Sequence, residues 1–228
     1  VAIVHNTTMN PSKLELLAAW LPAQPWFAGS GREPELTKVG GFRLDDPRGE
    51  VGIEFMLVAD GSGDQPATYQ VPMTYHGREL PGADGRLIGT SEHGVLGRRW
   101  IYDGIRDPVL VAQLVAFFQG EVEAQAQSVS STPEPTVTVE PAVVGPLSVI
   151  SSVVTDDDPS GTHLLVETAS PAGLPAGELA IRIRRILAPD AGGAGDPCLS
   201  ATWRLPDGSQ ARGVLATALH TPVPGQER

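Results

Sequence analysis

Val51-Gly52-Ile53-Glu54-Phe55-Met56-Leu57-Val58 sets Val51, Ile53, Phe55 and Leu57 against Gly52, Glu54, Met56 and Val58. Successive side chains of a strand point to opposite faces, so this alternation predicts a half-buried antiparallel strand. The turn-rich Asp60-Gly61-Ser62-Gly63-Asp64 stops it. Outward from this segment the same pattern predicts strands at about 37–44, 67–76, 85–92 and 95–102. Pro72 lies inside one of them, and a residue with no N–H for the ladder predicts an edge position or a bulge.

Helices flank this group of strands. In Asn10-Pro11-Ser12-Lys13-Leu14-Glu15, Ser12 is placed to cap a helix and Glu15 to complete a capping box. Leu14, Leu17, Ala18 and Leu21 then trace one apolar face, and Pro22 ends the helix. A second helix starts at Asp107-Pro108, where Asp caps and Pro fills the first turn; Val111, Leu114, Val115 and Phe118 form its face. Helices packed on one face of an antiparallel sheet make an α+β domain, expected over residues 1–124.

After Gly120 the apolar period lapses, and Gln125 to Pro135 reads as an exposed linker between halves that fold separately. Residues 136–222 predict a small, mainly antiparallel β domain, with strand-like runs at 136–140, 147–154, 163–168, 179–187, 199–205 and 213–218. Residues 223–228 read as a frayed tail.

Composition narrows the function classes. A formal net charge of -11 over 228 residues repels a phosphate backbone, and no basic run interleaved with aromatics offsets it, so nucleic acid is not an expected partner. The start Val1–Thr8 lacks the charged and apolar regions of a leader, and no run of roughly 18 apolar residues occurs. A cytoplasmic chain with no membrane partner is expected. Cys198 is the only cysteine and reads as an inert strand thiol. His5, His76, His93, His163 and His220 have no zinc-like spacing, and Asp156-Asp157-Asp158 reads as a solvated turn and not as a magnesium site. No cofactor or metal is expected.

Trp26-Phe27-Ala28-Gly29-Ser30-Gly31-Arg32, following a helix and the Leu21-Pro22 step, resembles the Trp-Phe-Gly-Gly-Lys-Gly-Arg-like motif of bacterial maltokinases and related trehalose-pathway kinases. Ala28 and Ser30 replace the more usual Gly and Lys. Tyr69-Gln70-Val71-Pro72-Met73-Thr74-Tyr75 is similar to that family's Tyr-x-Val-Pro-Leu-x-Tyr strand, and Tyr102-Asp103-Gly104-Ile105-Arg106-Asp107-Pro108 to its Tyr-Asp-Ala-x-x-Asp-Pro step into a helix. The resemblance implies an amino-terminal cap, helices on a curved antiparallel sheet of cystatin-like appearance. For the second half it implies a kinase amino-terminal lobe, with Leu179–Leu187 as one of its strands and Arg182 at the position of the nucleotide lysine. Arginine keeps that lysine's charge but not its compact geometry.

The family's catalytic lobe finds no counterpart up to Arg228, so the resemblance implies a chain that binds and does not phosphorylate by itself. A non-catalytic binding or regulatory protein of trehalose, maltose or glycogen metabolism is expected, its partner a separate sugar-metabolising enzyme or kinase chain. The alternatives are half of a split sugar kinase and a free-standing small-molecule binder. Trp26, Phe27, Gly29, Gly31 and Arg32 form the candidate turn, structural or partner-facing, with Trp20, Trp26 and Phe27 expected to pack on the sheet and not to stack on sugar. Arg182, Arg184 and Arg185 read as ordinary exposed strand charges, the alternative being an anion site.

Overall fold

Ser12 and Asp107 start the two α-helices found among the described residues of the computed structural model, which are 8–29, 31–64, 66–129, 131–140, 142–143, 145–190 and 195–222. The Ser12 hydroxyl accepts from the Glu15 N–H at 3.3 Å while the Ser12 N–H donates to the Glu15 carboxylate at 2.7 Å, closing the expected capping box. This opens α1 (Lys13–Trp20), and Leu21–Ala23 follow as one 3-10 turn. Asp107 accepts from the Val109 N–H and opens α2 (Pro108–Phe118). His5, the leader reading of the chain start and the expected tail at 223–228 lie outside the described residues. No described helix is long and apolar enough to cross a membrane.

The first half supplies strands β1 (Met9–Asn10), β2 (Leu36–Asp45), β3 (Gly52–Asp60), β4 (Ala67–His76), β5 (Leu87–His93) and β6 (Gly97–Asp103). They form a curled antiparallel sheet in the order β1-β5-β6-β4-β3-β2. The expected α+β class is met, but the helices do not share a face. Leu17 and Leu21 pack with Trp26, Met56, Val58, Tyr69, Val71 and Met73 on one side. On the other side Leu110, Val111, Leu114, Val115 and Phe118 of α2 pack with Phe42, Leu44, Ile53, Phe55 and Leu57. Both faces of β3 are therefore covered, and residues 53–60 are buried without interruption.

The second half adds β7 (Thr138–Glu140), β8 (Ser148–Asp158), β9 (Gly161–Ala169), β10 (Pro175–Ile183), β11 (Ile186–Leu187), β12 (Cys198–Arg204) and β13 (Gln210–Pro222). All but β11 form a second antiparallel sheet in the order β7-β12-β13-β10-β9-β8. The run expected at 179–187 is split. After Ile183 the chain leaves this sheet, and β11 pairs with β4 of the first sheet through Ile186–Tyr69 and Leu187–Thr68. Pro72 is thereby explained and its expected edge position corrected. β4 is a central strand that pairs with β3 from Ala67 to Tyr75, but on its other side it pairs with β11 up to Gln70 and with β6 from Met73. N–H groups two residues apart point the same way, so the missing N–H of Pro72 falls where β4 changes partners.

One apolar cluster runs through both halves, from Phe42, Phe55 and α2 to Leu164, Val166, Leu179, Ile181, Ile183 and Trp203. The segment expected as an exposed linker is exposed at Ser128, Val129, Ser131–Pro133 and Pro135, but its start is held against this body. The Arg43 N–H donates to the Gln125 carbonyl and the Gln125 N–H to the Arg43 carbonyl, both at 2.9 Å, and Gln125 also bridges to Pro133. Gln125 thus occupies one backbone position, Arg43, on the outer edge of β2. Its polar composition hid this, because the contacts are made by backbone and amide groups and not by apolar side chains.

Candidate functional site

The Trp26–Arg32 turn is built around buried rings. Trp26 is 1% exposed, and its ring lies 5.8 Å from that of Trp20 and 6.1 Å from that of Tyr69. Phe27 is half-buried and stacks on Tyr69 at 5.5 Å, while the Tyr69 hydroxyl accepts from the Ala28 N–H at 3.2 Å. Gly29 permits this fold-back, because a Cβ there would sit 2.1 Å from the Phe27 ring. Gly31 takes φ +79°, the left-handed region that suits glycine, and Arg32 donates to the Ser62 carbonyl at 3.2 Å.

Arg185 closes the site from the second half of the chain. Its side chain is fully buried; the guanidinium lies 4.9 Å over the Trp26 ring, Nη2 donates to Asp103 Oδ2 at 2.6 Å and Nε donates to Thr162 Oγ1 at 2.7 Å. Its carbonyl accepts from the Gln70 N–H at 2.9 Å. The three segments that carry the family resemblance, around Trp26, Tyr69 and Asp103, therefore meet at one arginine. A buried cation needs a paired anion: Asp103 supplies it, Thr162 takes Nε and the Trp26 face covers the guanidinium, while Nη1 is buried without a hydrogen bond. The expectation of an exposed Arg185 is corrected: it sits where the chain crosses between sheets, so neither face of it is open to water.

Asp107, the second acid of the same motif, is also occupied. Its Oδ2 lies 2.6 Å from His76 Nε2 and its Oδ1 accepts from the Val109 N–H at 2.9 Å. Burial acts to raise its pKa, but the His76 and Val109 hydrogen bonds outweigh burial and hold it below the ordinary aspartate value.

A further ionisable cluster lies under α1, centred on Glu54, which no motif singled out, although Tyr75 ends the Tyr69–Tyr75 motif. Glu54 is buried; its Oε2 accepts from Lys13 Nζ and from the Tyr75 hydroxyl, each at 2.5 Å, and its Oε1 accepts from Gln127 Nε2 at 2.8 Å. Burial pushes the Glu54 carboxyl up, but the Lys13 charge and the Lys13 and Tyr75 hydrogen bonds bring it below the ordinary glutamate value. Burial, reinforced by the Glu54 charge, lifts the Tyr75 phenol well above its ordinary value. Burial also lowers Lys38, although Glu54 opposes the shift. Gln127 reaches in because position 41 carries no side chain: a Cβ on Gly41 would stand 2.5 Å from Gln127 Nε2, and its φ is +130°. One sequence signal did exist. A lysine in the first turn of a helix opposes the helix dipole, which makes Lys13 a residue in need of an anion.

Comparison with protein families agrees with this convergence: residues 20–107 match the maltokinase N-terminal cap domain. The chain contains a maltokinase N-terminal cap domain. The match begins at Trp20 and ends at Asp107, so it takes in the Trp26 turn, the Tyr69 strand and both motif acids. No curated protein matches the chain.

Outside the cap domain the remaining candidates separate. Arg182 is exposed on β10 and donates to the Ser160 carbonyl at 3.0 Å, whereas Arg184 pairs with Asp190. The three arginines thus do three different things. Asp156–Asp158 end β8; Asp157 accepts from the Thr162 hydroxyl and Asp158 from the Ser160 N–H, both at 2.6 Å, as a structured hairpin. Cys198 is buried against the Asp196 carbonyl, and His163 is half-buried beside Ser160. A cleft of about 580 Å³ runs between the cap domain's Leu36–Val39 and Arg204–Pro206 of the second sheet.

Proposed function

We propose that this chain acts as a non-catalytic binding or regulatory protein of maltose, trehalose or glycogen metabolism, presenting its cap domain to a separate sugar-metabolising enzyme. The convergence of Trp26 and Asp103 on Arg185, with Tyr69 packed against Trp26, supports this reading most directly. These side chains are spent on each other: the aromatic faces cover a guanidinium and one another, and the Asp103 carboxylate neutralises it. A ring that stacks on a sugar, or a carboxylate that orients an acceptor hydroxyl, needs an open face toward the ligand. The cap domain's motif residues serve instead to hold one rigid body together, and a rigid body suits the ordering of another chain.

The test has two arms. The purified chain is titrated with Mg-ATP by calorimetry and assayed for maltose phosphorylation; neither ATP binding nor turnover is expected, and saturable binding with phosphoryl transfer overturns the reading. The immobilised chain is then exposed to native cell extract, where retention of an enzyme of maltose, trehalose or glycogen metabolism is expected. Retention of no such enzyme contradicts the assigned role.

A further inference from the structure

The outer face of the second sheet carries an arrangement that its fold does not require. Inward-facing Leu164, Leu179, Ile181 and Ala218 are buried in the shared core. By alternation their neighbours point outward, and the strand registers align these into rows. Val153 pairs with Leu165, Leu165 with Ala180 and Ala180 with Leu219, giving one apolar row across β8, β9, β10 and β13. Val153 and Leu219 are each 55% exposed, so the row lies open. On one side of it stand Glu167 and Glu178, directly opposite each other, with Ser151 beside Glu167 on β8; on the other side stand His163 and Arg182, likewise opposite each other, with Asp156 beside His163 on β8.

Two features of this face point to what covers it. Ser151 Oγ donates to Glu167 at 2.7 Å, but like charges directly opposite on adjacent strands repel, so the Glu167–Glu178 pair favours a cation from outside the sheet. The same face also bears a cation at the matching distance beyond the apolar row. A two-fold axis lying along that row would set apolar row on apolar row and turn the Ser151, Glu167 and Glu178 row of each copy onto the second copy's Asp156, His163 and Arg182 row. Each strand would then lie against its own counterpart, with Glu178 facing the second copy's Arg182, Glu167 its His163, and Asp156 its Ser151, a hydroxyl that can donate to the carboxylate.

We infer that this face is an isologous interface, and that its occupant is a second copy of this chain. Packing of two sheets with strands roughly aligned is an ordinary arrangement for such surfaces. The acidic chain, with formal net charge -11, makes self-association unfavourable over most of its surface. Here the charges alternate in the sense that makes two copies fit.

Charge exchange gives the test. Sedimentation of the full chain across a dilution series should show a monomer–dimer equilibrium. Glu178→Arg sets Arg against the second copy's Arg182, and Arg182→Glu sets Glu against its Glu178, so each variant alone should dimerise at least about tenfold more weakly. Mixing the two variants restores opposite charges at both contacts and should restore the dimer. Thermal transitions near that of the unsubstituted chain show that each variant is folded, and Leu219→Glu, which charges the apolar row without touching the rim, should give a monomer. A chain that stays monomeric at every concentration, as when this face serves a different protein, overturns the inference. Single variants that dimerise as well as the unsubstituted chain overturn it too, as does a mixture that stays monomeric.

Discussion

The guanidinium of Arg185 lies 4.9 Å above the ring of Trp26, although the two residues belong to different sheets' chain segments. One side chain comes from the turn after α1 and the other from the crossing between β10 and β11, so their contact ties the cap domain to the second sheet. Asp103, at 2.6 Å from the same guanidinium, fixes its orientation.

Replacing the ring removes both packing and the face that covers the cation. Trp26→Ala is expected to cost roughly 3–5 kcal/mol of stability. For a chain of this size each kcal/mol corresponds to about 2–4 °C, so the melting temperature should fall by many degrees. A thermal scan checks it, and an unchanged transition accompanied by loss of sugar or protein binding would make the ring a recognition element.

Removing the anion leaves an uncompensated buried charge. Asp103→Ala should destabilise by about 3–5 kcal/mol, while the double substitution Asp103→Leu with Arg185→Met should recover much of that loss. Urea midpoints of the single and double variants decide it. A double variant as unstable as Asp103→Ala would mean that the pair's geometry, and not its charge balance, holds the joint.

Acid should weaken the fold through two named carboxyls. Asp107 and Glu54 are held below their ordinary values of 3.8 and 4.5, so near those values the unfolded chain binds more protons than the folded one. The stability they contribute is present above the unfolded values and is lost as pH falls through the lower folded ones. Urea midpoints measured from neutrality to below pH 3.8 should decline, and Asp107→Asn and Glu54→Gln should each flatten the decline. An identical pH dependence in both variants would place the acid sensitivity elsewhere.

What the sequence revealed follows from the range of each interaction. The Ser12–Glu15 box and the Asp107 cap act over three residues or fewer, so local spacing shows them. Strand alternation was equally visible, and it put Phe55 on a core face correctly. Glu54 looked like a solvent-facing residue of that strand because nothing in its neighbourhood says that α1 will cover the second face. Arg185 lay within a run of charges that reads as surface, and its partner Asp103 is 82 positions away. The docking of Gln125 is hidden for a different reason: backbone pairing with Arg43 leaves no trace in hydrophobic periodicity.

Unfolding of the whole chain tests the joined body most directly. The shared apolar cluster, the Arg185 joint and the β4–β11 pairing predict one cooperative transition, with the calorimetric and van't Hoff enthalpies equal and the 125–135 segment resistant to protease until the chain unfolds. Two resolved transitions, with early cleavage in that segment releasing two folded fragments, would contradict it and return the chain to two independent domains on a tether.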